Sequence, residues 1–220
     1  MSRLLACAVV ILLFAPFLPA QSYPAAEFYA GFSLQNNEYG TDRRNAPGFQ
    51  SSFGYNLTRN LRLGGEFGGQ FHGTDLYVFD RRMSVSNYQL LFGPEFAFRN
   101  RSSVTPFVRV MAGYTTRRFK VPTGVFSCTG FGSCTEEKAT VLSDSGFGAA
   151  FGGGIDIDVG RYFAVRAVQF DYLRTKLNRN EPEFLVDTSL FPTLREWQNN
   201  YRFSVGLVFR LGERGDARRR

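Results

Sequence analysis

The chain has one histidine, one tryptophan and three cysteines in 220 residues. After its N-terminal segment it has no apolar run near the 20 or so residues that a membrane-spanning helix needs. One histidine rules out multi-histidine metal centres and leaves His72 as the one candidate for histidine-based catalysis. Charged residues are few, at 20%, but a hydrophobic content of 44% excludes global disorder. Phe (24), Gly (23) and Tyr (10) are abundant, a bias toward strands and turns rather than helices. The length suits one domain, or at most two small ones, and holds a core without help from disulfides.

The first twenty residues read as an address. Met1 to Arg3 give a short basic start, Leu4 to Leu18 an apolar stretch, and Pro19-Ala20 a small-residue exit. This predicts a signal peptide over residues 1–20, cut near Ala20, with Gln21 starting the mature chain. An uncleaved anchor is the rival, but about 15 apolar residues are short for one. Leu4-Leu5-Ala6-Cys7 resembles a lipoprotein box but precedes the apolar stretch instead of following it. The mature chain keeps Cys128 and Cys134, spaced C-x5-C in a Gly/Ser/Thr-rich stretch. In an oxidising compartment such a pair closes a local disulfide; a metal site would need further ligands, and a redox pair is the other alternative. The net charge of +7 does not indicate nucleic acid, because an exported chain does not meet it and the Lys and Arg are scattered. Residues 213–220 form a charged tail ending Arg218-Arg219-Arg220, a candidate for contact with anionic headgroups or cell-wall polymer.

Past residue 26 the hydrophobic period is two. Leu61, Leu63, Gly65, Phe67, Gly69 and Phe71 alternate with Arg62, Gly64, Glu66, Gly68, Gln70 and His72. Tyr201, Phe203, Val205, Leu207, Phe209 and Leu211 alternate with Arg202, Ser204, Gly206, Val208 and Arg210. A helix would spread these charges around its axis, so the segments are strands. Further segments begin at Phe28, Phe49, Tyr88, Val108 and Phe147. Pro94 inside one of them predicts a bulge or a break in pairing. In Phe163 to Thr175 no single register puts Arg166, Gln169 and Asp171 on one face. A bulge near Ala167 and Val168 reconciles them; the alternative is an Arg166 reaching toward headgroups.

The total is about eight strands of roughly 9–13 residues, the length and even number of a small transmembrane barrel. Connections alternate short (Thr58-Arg59-Asn60, Arg99 to Ser103, Gly160-Arg161) with long (Asn36 to Ala46, Gly73 to Met83, Arg118 to Ser143, Lys176 to Gln198). The fold class expected is all-β: an eight-stranded antiparallel up-and-down transmembrane β-barrel over residues 21–212. A soluble lipocalin-like barrel has the same alternation with the apolar face inward. The inverted arrangement is favoured by a polar face rich in Gly, Ala and Ser, by aromatics near strand ends (Tyr55, Tyr88, Phe98, Tyr114, Phe209), and by the export signal.

The final strand Asn200 to Leu211, the segment Ala164 to Leu173 and Gly152-Gly153-Gly154-Ile155-Asp156 carry a resemblance. Over residues 25–212 the chain resembles the bacterial outer-membrane β-barrel family of small OmpA/OmpX-like proteins. The resemblance implies a cell outer-membrane location, and a last strand read by the barrel-insertion machinery through Tyr201, Phe203 and Phe209. No peptidoglycan-binding domain accompanies it, so that function of larger relatives is not implied.

Inward positions then carry Glu66, Glu95, Asp156 and Asp171 against Arg62, Arg109, Arg166, Arg202 and Arg210. Nearly balanced charges in a narrow lumen should pair, because an isolated desolvated ion is costly. A plugging network centred on Glu66, Arg109 and Arg202 is expected; a narrow pore for ions or small solutes is the alternative. Three enzyme-like features are weaker. His72 has Thr74, Asp75 and Ser84 nearby in sequence, a loose match to lipid-modifying triads. Asp156 with Asp171 could be a carboxylate pair, and Gly152 to Gly154 lacks the context of a phosphate loop. Asn56-Leu57-Thr58 matches a glycosylation acceptor but sits at a predicted turn. The expected partners are outer-membrane lipid, the insertion machinery and a ligand on the long loops. A monomer without nucleic acid, cofactor or enzymatic activity is the overall reading.

Overall fold

A computed structural model describes residues 23–39, 42–78, 81–100, 102–128, 134–178 and 197–214. The predicted signal peptide and basic tail lie outside these residues, apart from Glu213 and Arg214. The described chain forms eight strands: β1 (Tyr23–Tyr39), β2 (Asp42–Asn56), β3 (Leu61–Val78), β4 (Arg81–Ala97), β5 (Val104–Cys128), β6 (Cys134–Asp158), β7 (Phe163–Asn178) and β8 (Trp197–Arg214). Each pairs antiparallel with its sequence neighbour, and β1 pairs with β8. The barrel is closed, so every strand edge within it is paired, as a spanning sheet requires. Among the described residues no helix is long and apolar enough to cross a membrane; strands do the crossing.

The alternation sets the faces. Phe32, Phe53, Leu63, Phe67, Phe92, Val110, Phe151 and Phe203 all point outward and are exposed, whereas Gln50, Glu66, Arg109, Asp171 and Arg202 are buried inside. The lipocalin-like arrangement is thereby excluded. The outward apolar rows run over Pro47–Leu57, Leu61–Phe71, Tyr88–Phe98, Val104–Tyr114, Phe147–Ile157 and Tyr201–Leu211. Each is roughly eleven residues, enough for a tilted strand to cross the hydrocarbon layer. Aromatic rings collect at both ends of this band. Phe28, Phe163 and Phe209 adjoin at one end, with ring centroids 5.2 Å apart for Phe163 and Phe209. Phe49, Phe67, Phe71 and Tyr88 adjoin at the other, with Phe170, Tyr172 and Tyr201 a second group there.

Short turns close one end. The Thr58 Oγ1 accepts hydrogen bonds from the Leu61 and Asn60 amides at 3.0 and 3.3 Å, and the Asn100 Oδ1 accepts from the Ser102 amide at 2.8 Å. At the opposite end the strands outgrow the expectation. Of the segments Asn36 to Ala46, Gly73 to Met83 and Arg118 to Ser143, the described residues continue the strands and pair across them for most of their length. Once the chain leaves the lipid, both faces are wet and alternation is lost, yet backbone pairing still satisfies the amides. The β5–β6 hairpin reaches furthest. From Thr115 to Cys128 it extends roughly 45 Å along the strand. Cys128 and Cys134 are disulfide-bonded at its tip. Residues 179–196 of the fourth predicted loop lie outside the described residues.

Both predicted irregularities are present. Asp156 pairs with Arg166 while Ile155 pairs with Val168, so Ala167 is the extra residue of a bulge. The same step appears against β8, between Arg166 and Gln169. Ala167 and Val168 are accordingly both exposed, and Arg166, Gln169 and Asp171 all face the lumen. At Pro94 the structure shows a break rather than a bulge. Pairing of β4 with β5 stops at Phe92–Ala112 and resumes at Glu95–Arg109 in unchanged register.

Candidate functional site

The barrel interior is the site, and every strand contributes to it. At mid-height four charged groups from four strands meet: Glu66 (β3), Arg109 (β5), Asp171 (β7) and Arg202 (β8). The Arg109 Nη2 lies 2.6 Å from the Glu66 Oε2 and 2.7 Å from the Asp171 Oδ2. The Arg202 Nη2 lies 2.5 Å from the Glu66 Oε1 and 2.9 Å from the Asp171 Oδ2. Each guanidinium bridges both carboxylates, a closed two-by-two arrangement with no side-chain exposure. Amides add further bonds, while the Arg109 Nη1 has no hydrogen-bond partner among the described residues. The Gln50 Nε2 donates to Glu66 at 2.6 Å and the Gln169 Nε2 donates to Asp171 at 2.7 Å. The Ser204 hydroxyl donates to the Gln50 Oε1, and the Arg202 Nη1 donates to the Gln89 Oε1. Charge pairing of this kind matters because a buried charge lacking its counter-charge is strongly destabilising.

A second tier sits toward the short turns. The Arg166 guanidinium pairs side-on with Asp156, with Nε to Oδ1 at 2.7 Å and Nη2 to Oδ2 at 3.0 Å. It also lies between the rings of Tyr29 and Phe107, 4.5 and 4.1 Å from their centroids. A desolvated guanidinium between two π faces gains cation–π attraction that replaces part of its lost hydration. Beside it Arg62 bridges Glu27 and Glu95, and Arg99 from the short turn caps Glu27. Toward the hairpin end the lumen is amide-rich around the buried Arg117 and Asp144. The Arg117 Nε donates to the Asn87 Oδ1 at 2.9 Å and its Nη2 to the Gln198 Oε1 at 2.6 Å. One flank is apolar, where Leu91, Met111, Ala150 and Leu173 pack together.

Eight of the nine sequence-predicted network residues therefore lie inside and form the two tiers. The ninth, Arg210, sits at the short-turn rim, half-buried, and pairs with Asp158 at 2.5 Å instead of joining the centre. Sequence reasoning missed Glu27, Arg99, Tyr29 and Phe107 as members. Glu27 shares the parity of Tyr29, Gly31 and Ser33 and lies one residue before the alternating segment that begins at Phe28. Outside the band, the hydrogen bond and charge of Arg161 hold the Glu213 carboxyl below its ordinary range.

The enzyme-like features do not assemble. His72 pairs with Val85 and Ser84 with Gly73, so the histidine and serine leave the sheet on opposite faces. The side chains of Thr74 and Asp75 lie outside the described residues. Asp156 and Asp171 are each engaged by arginines, in different tiers. Among the described residues no group of three or more His, Cys, Asp or Glu could hold a metal ion. The three glycines Gly152 to Gly154 lie within β6, where they allow close approach of β5 and β7.

An outward greasy band, paired backbone edges and an ionic interior together define a transmembrane β-barrel of the outer-membrane type. The chain belongs to the outer membrane protein beta-barrel domain family, whose profile matches residues 5–210. It is therefore a protein of the cell outer membrane. No curated protein matches it in sequence. Among solved structures it is similar in fold to Neisserial surface protein A (NspA), at 11% identity and a TM-score of 0.54 over 87% of this chain and 99% of that one. It is also similar to Ail, the attachment invasion locus protein of Yersinia pestis, crystallised with the heparin analogue sucrose octasulfate. That match has 16% identity and a TM-score of 0.51 over 88% of this chain and 100% of that one.

Proposed function

We propose that this barrel is a non-enzymatic, monomeric outer-membrane protein whose lumen is plugged by charge pairs and whose work is done by the hairpins outside the cell. The single observation that carries the plug is the fully buried Glu66–Arg109–Asp171–Arg202 cluster. Its members come from strands on opposite walls, and together they cross the whole lumen. An eight-stranded barrel has room only for side chains, so bridging ion pairs leave no aqueous path. The surface reading rests on the disulfide-tipped β5–β6 hairpin, a stiff arm placed beyond the band. Two fold neighbours named for surface or attachment roles support it. In this reading the closing strand β8 offers its outward Tyr201, Phe203 and Phe209 to the insertion machinery.

Planar-bilayer recording of the purified protein tests the plug. The expected trace has no stable conductance steps. A steady single-channel current that falls with a bulkier electrolyte would favour the pore and overturn the reading.

A further inference from the structure

The outward rows of β4 and β5 change character at one height. On β4 the row runs Phe96, Pro94, Phe92, Leu90 and Tyr88, then switches to Ser86 and Ser84. On β5 it runs Val104 to Tyr114, then switches to Thr116, Arg118 and Lys120. The switch marks where hydrocarbon gives way to headgroups. The Tyr88 ring stacks on Phe67 and meets Phe71 edge-on, at 6.4 and 5.9 Å.

Directly beyond these rings the surface has an open hollow of about 410 Å³, lined by Phe71, Tyr88, Ser84, Ser86, Lys120 and Lys138. Cross-strand pairing explains the grouping. Ser84 lies opposite Lys120 and Ser86 opposite Arg118, while Lys138 lies opposite Pro122, one step further out. Arg118, Lys120 and Lys138 have no carboxylate partner among the described residues. Of the neighbouring acids on β6, Glu136 shares this face and accepts a hydrogen bond from the Gly124 amide at 3.1 Å. Glu137 lies on the opposite face. The hollow thus has an aromatic floor continuous with the lipid-facing band, two hydroxyls at its wall and two unneutralised lysines above, with Arg118 beside it opposite Ser86.

Its occupant must match both halves: an anion at the top and hydrocarbon below. A free anion would gain nothing from Phe71 and Tyr88, and a neutral lipid nothing from the cations. We propose that this hollow binds the phosphate-bearing headgroup of a lipid of the surrounding leaflet, with the phosphate against Lys120, Lys138 and Arg118 and the upper chain along Phe71 and Tyr88. The site lies on the outer wall and is independent of the plugged lumen.

The test uses the full chain reconstituted in nanodiscs. One set contains the phosphorylated glycolipid lipid A, one its dephosphorylated form, and one phosphatidylcholine alone. Lipid that stays bound after detergent exchange is counted by native mass spectrometry. The wild type should retain phosphorylated glycolipid, and the double variant Lys120→Gln with Lys138→Gln should retain roughly tenfold less. Arg161→Gln, at the opposite rim, should retain as much as wild type. Heat-modifiable gel mobility checks folding; if the double variant loses it, Arg118→Gln alone carries the same comparison. Equal retention by the variant, or equal retention of the dephosphorylated glycolipid, overturns the proposal. Displacement by millimolar inorganic phosphate overturns the lipid assignment in favour of a free-anion site.

Discussion

Replacing Asp171 by Asn removes one charge from the central cluster with almost no change of volume, so any effect is electrostatic rather than a cavity. In the wild type the carboxylate accepts five hydrogen bonds, two each from Arg109 and Arg202 and one from Gln169. Summing these at about 1.5–3 kcal/mol each would overstate the loss, because such bonds re-pair and are not additive. The better measure is the charge left behind. With Asp171 neutral, Arg109 and Arg202 share only Glu66, and one buried positive charge is uncompensated. Breaking a buried pair in this way costs about 3–5 kcal/mol. Asn keeps one carbonyl acceptor but turns an amide donor toward guanidinium donors, which places the expectation at the upper end. Urea unfolding in lipid vesicles, followed by Trp197 fluorescence and gel mobility, reads the loss. Adding Arg202→Gln restores neutrality around an Arg109–Glu66 pair, so the double variant should be less destabilised than the sum of the singles by about 1–2 kcal/mol. An Asp171→Asn protein within about 0.5 kcal/mol of wild type, or strictly additive singles, would refute the account of the lumen as an interlocked ionic network.

The other predictions follow from geometry. A Cβ at Gly152 would collide with the Phe170 carbonyl oxygen and the Asp171 carboxylate, whereas one at Gly160 meets nothing within 4 Å. Gly152→Ala should therefore lower stability by about 1–3 kcal/mol and Gly160→Ala hardly at all, compared by the same urea titration. Deleting Ala167 removes the bulge yet leaves Arg166, Gln169 and Asp171 at alternate positions, so all three still face the lumen along a regular ladder. The heat-modifiable folded band should therefore persist, and its loss would refute Ala167 as the extra residue. Replacing Cys128 and Cys134 by Ser should speed tryptic cleavage within residues 118–138 while the barrel keeps its gel mobility. The short loop makes this a local loss of about 2 kcal/mol. Arg161→Gln should return the Glu213 titration upward to the ordinary carboxylate range, read by carbon NMR. In the wild type that pair persists above the usual carboxylate pKa and is lost only as pH falls through the depressed value.

What the sequence made legible follows from where two solvents meet. A strand between lipid and a polar lumen must alternate, so parity put Glu66, Arg109, Asp171 and Arg202 on one face and Phe53, Phe67, Val110 and Phe203 on the other. The small residues of the polar face, the aromatics near strand ends and the export signal turned the first face inward. Alternation even offered a bulge near Ala167 and Val168, because three polar side chains could share a face only if the register stepped there. Parity says nothing about who meets whom across the lumen. Arg109 reaches Asp171 two strands away on one side and Glu66 two strands away on the other, and Arg62 chooses β1 and β4 acids, because side-chain length and strand stagger set the partners. Nor does parity survive outside the membrane. Val125 and Phe126 near the β5–β6 tip are exposed in succession, and the paired stretch from Lys120 to Cys128 has register steps of its own. The same loss of pattern that made those hairpins read as loops frees their side chains from either solvent's demand. Surface chemistry can therefore vary there while the barrel below cannot.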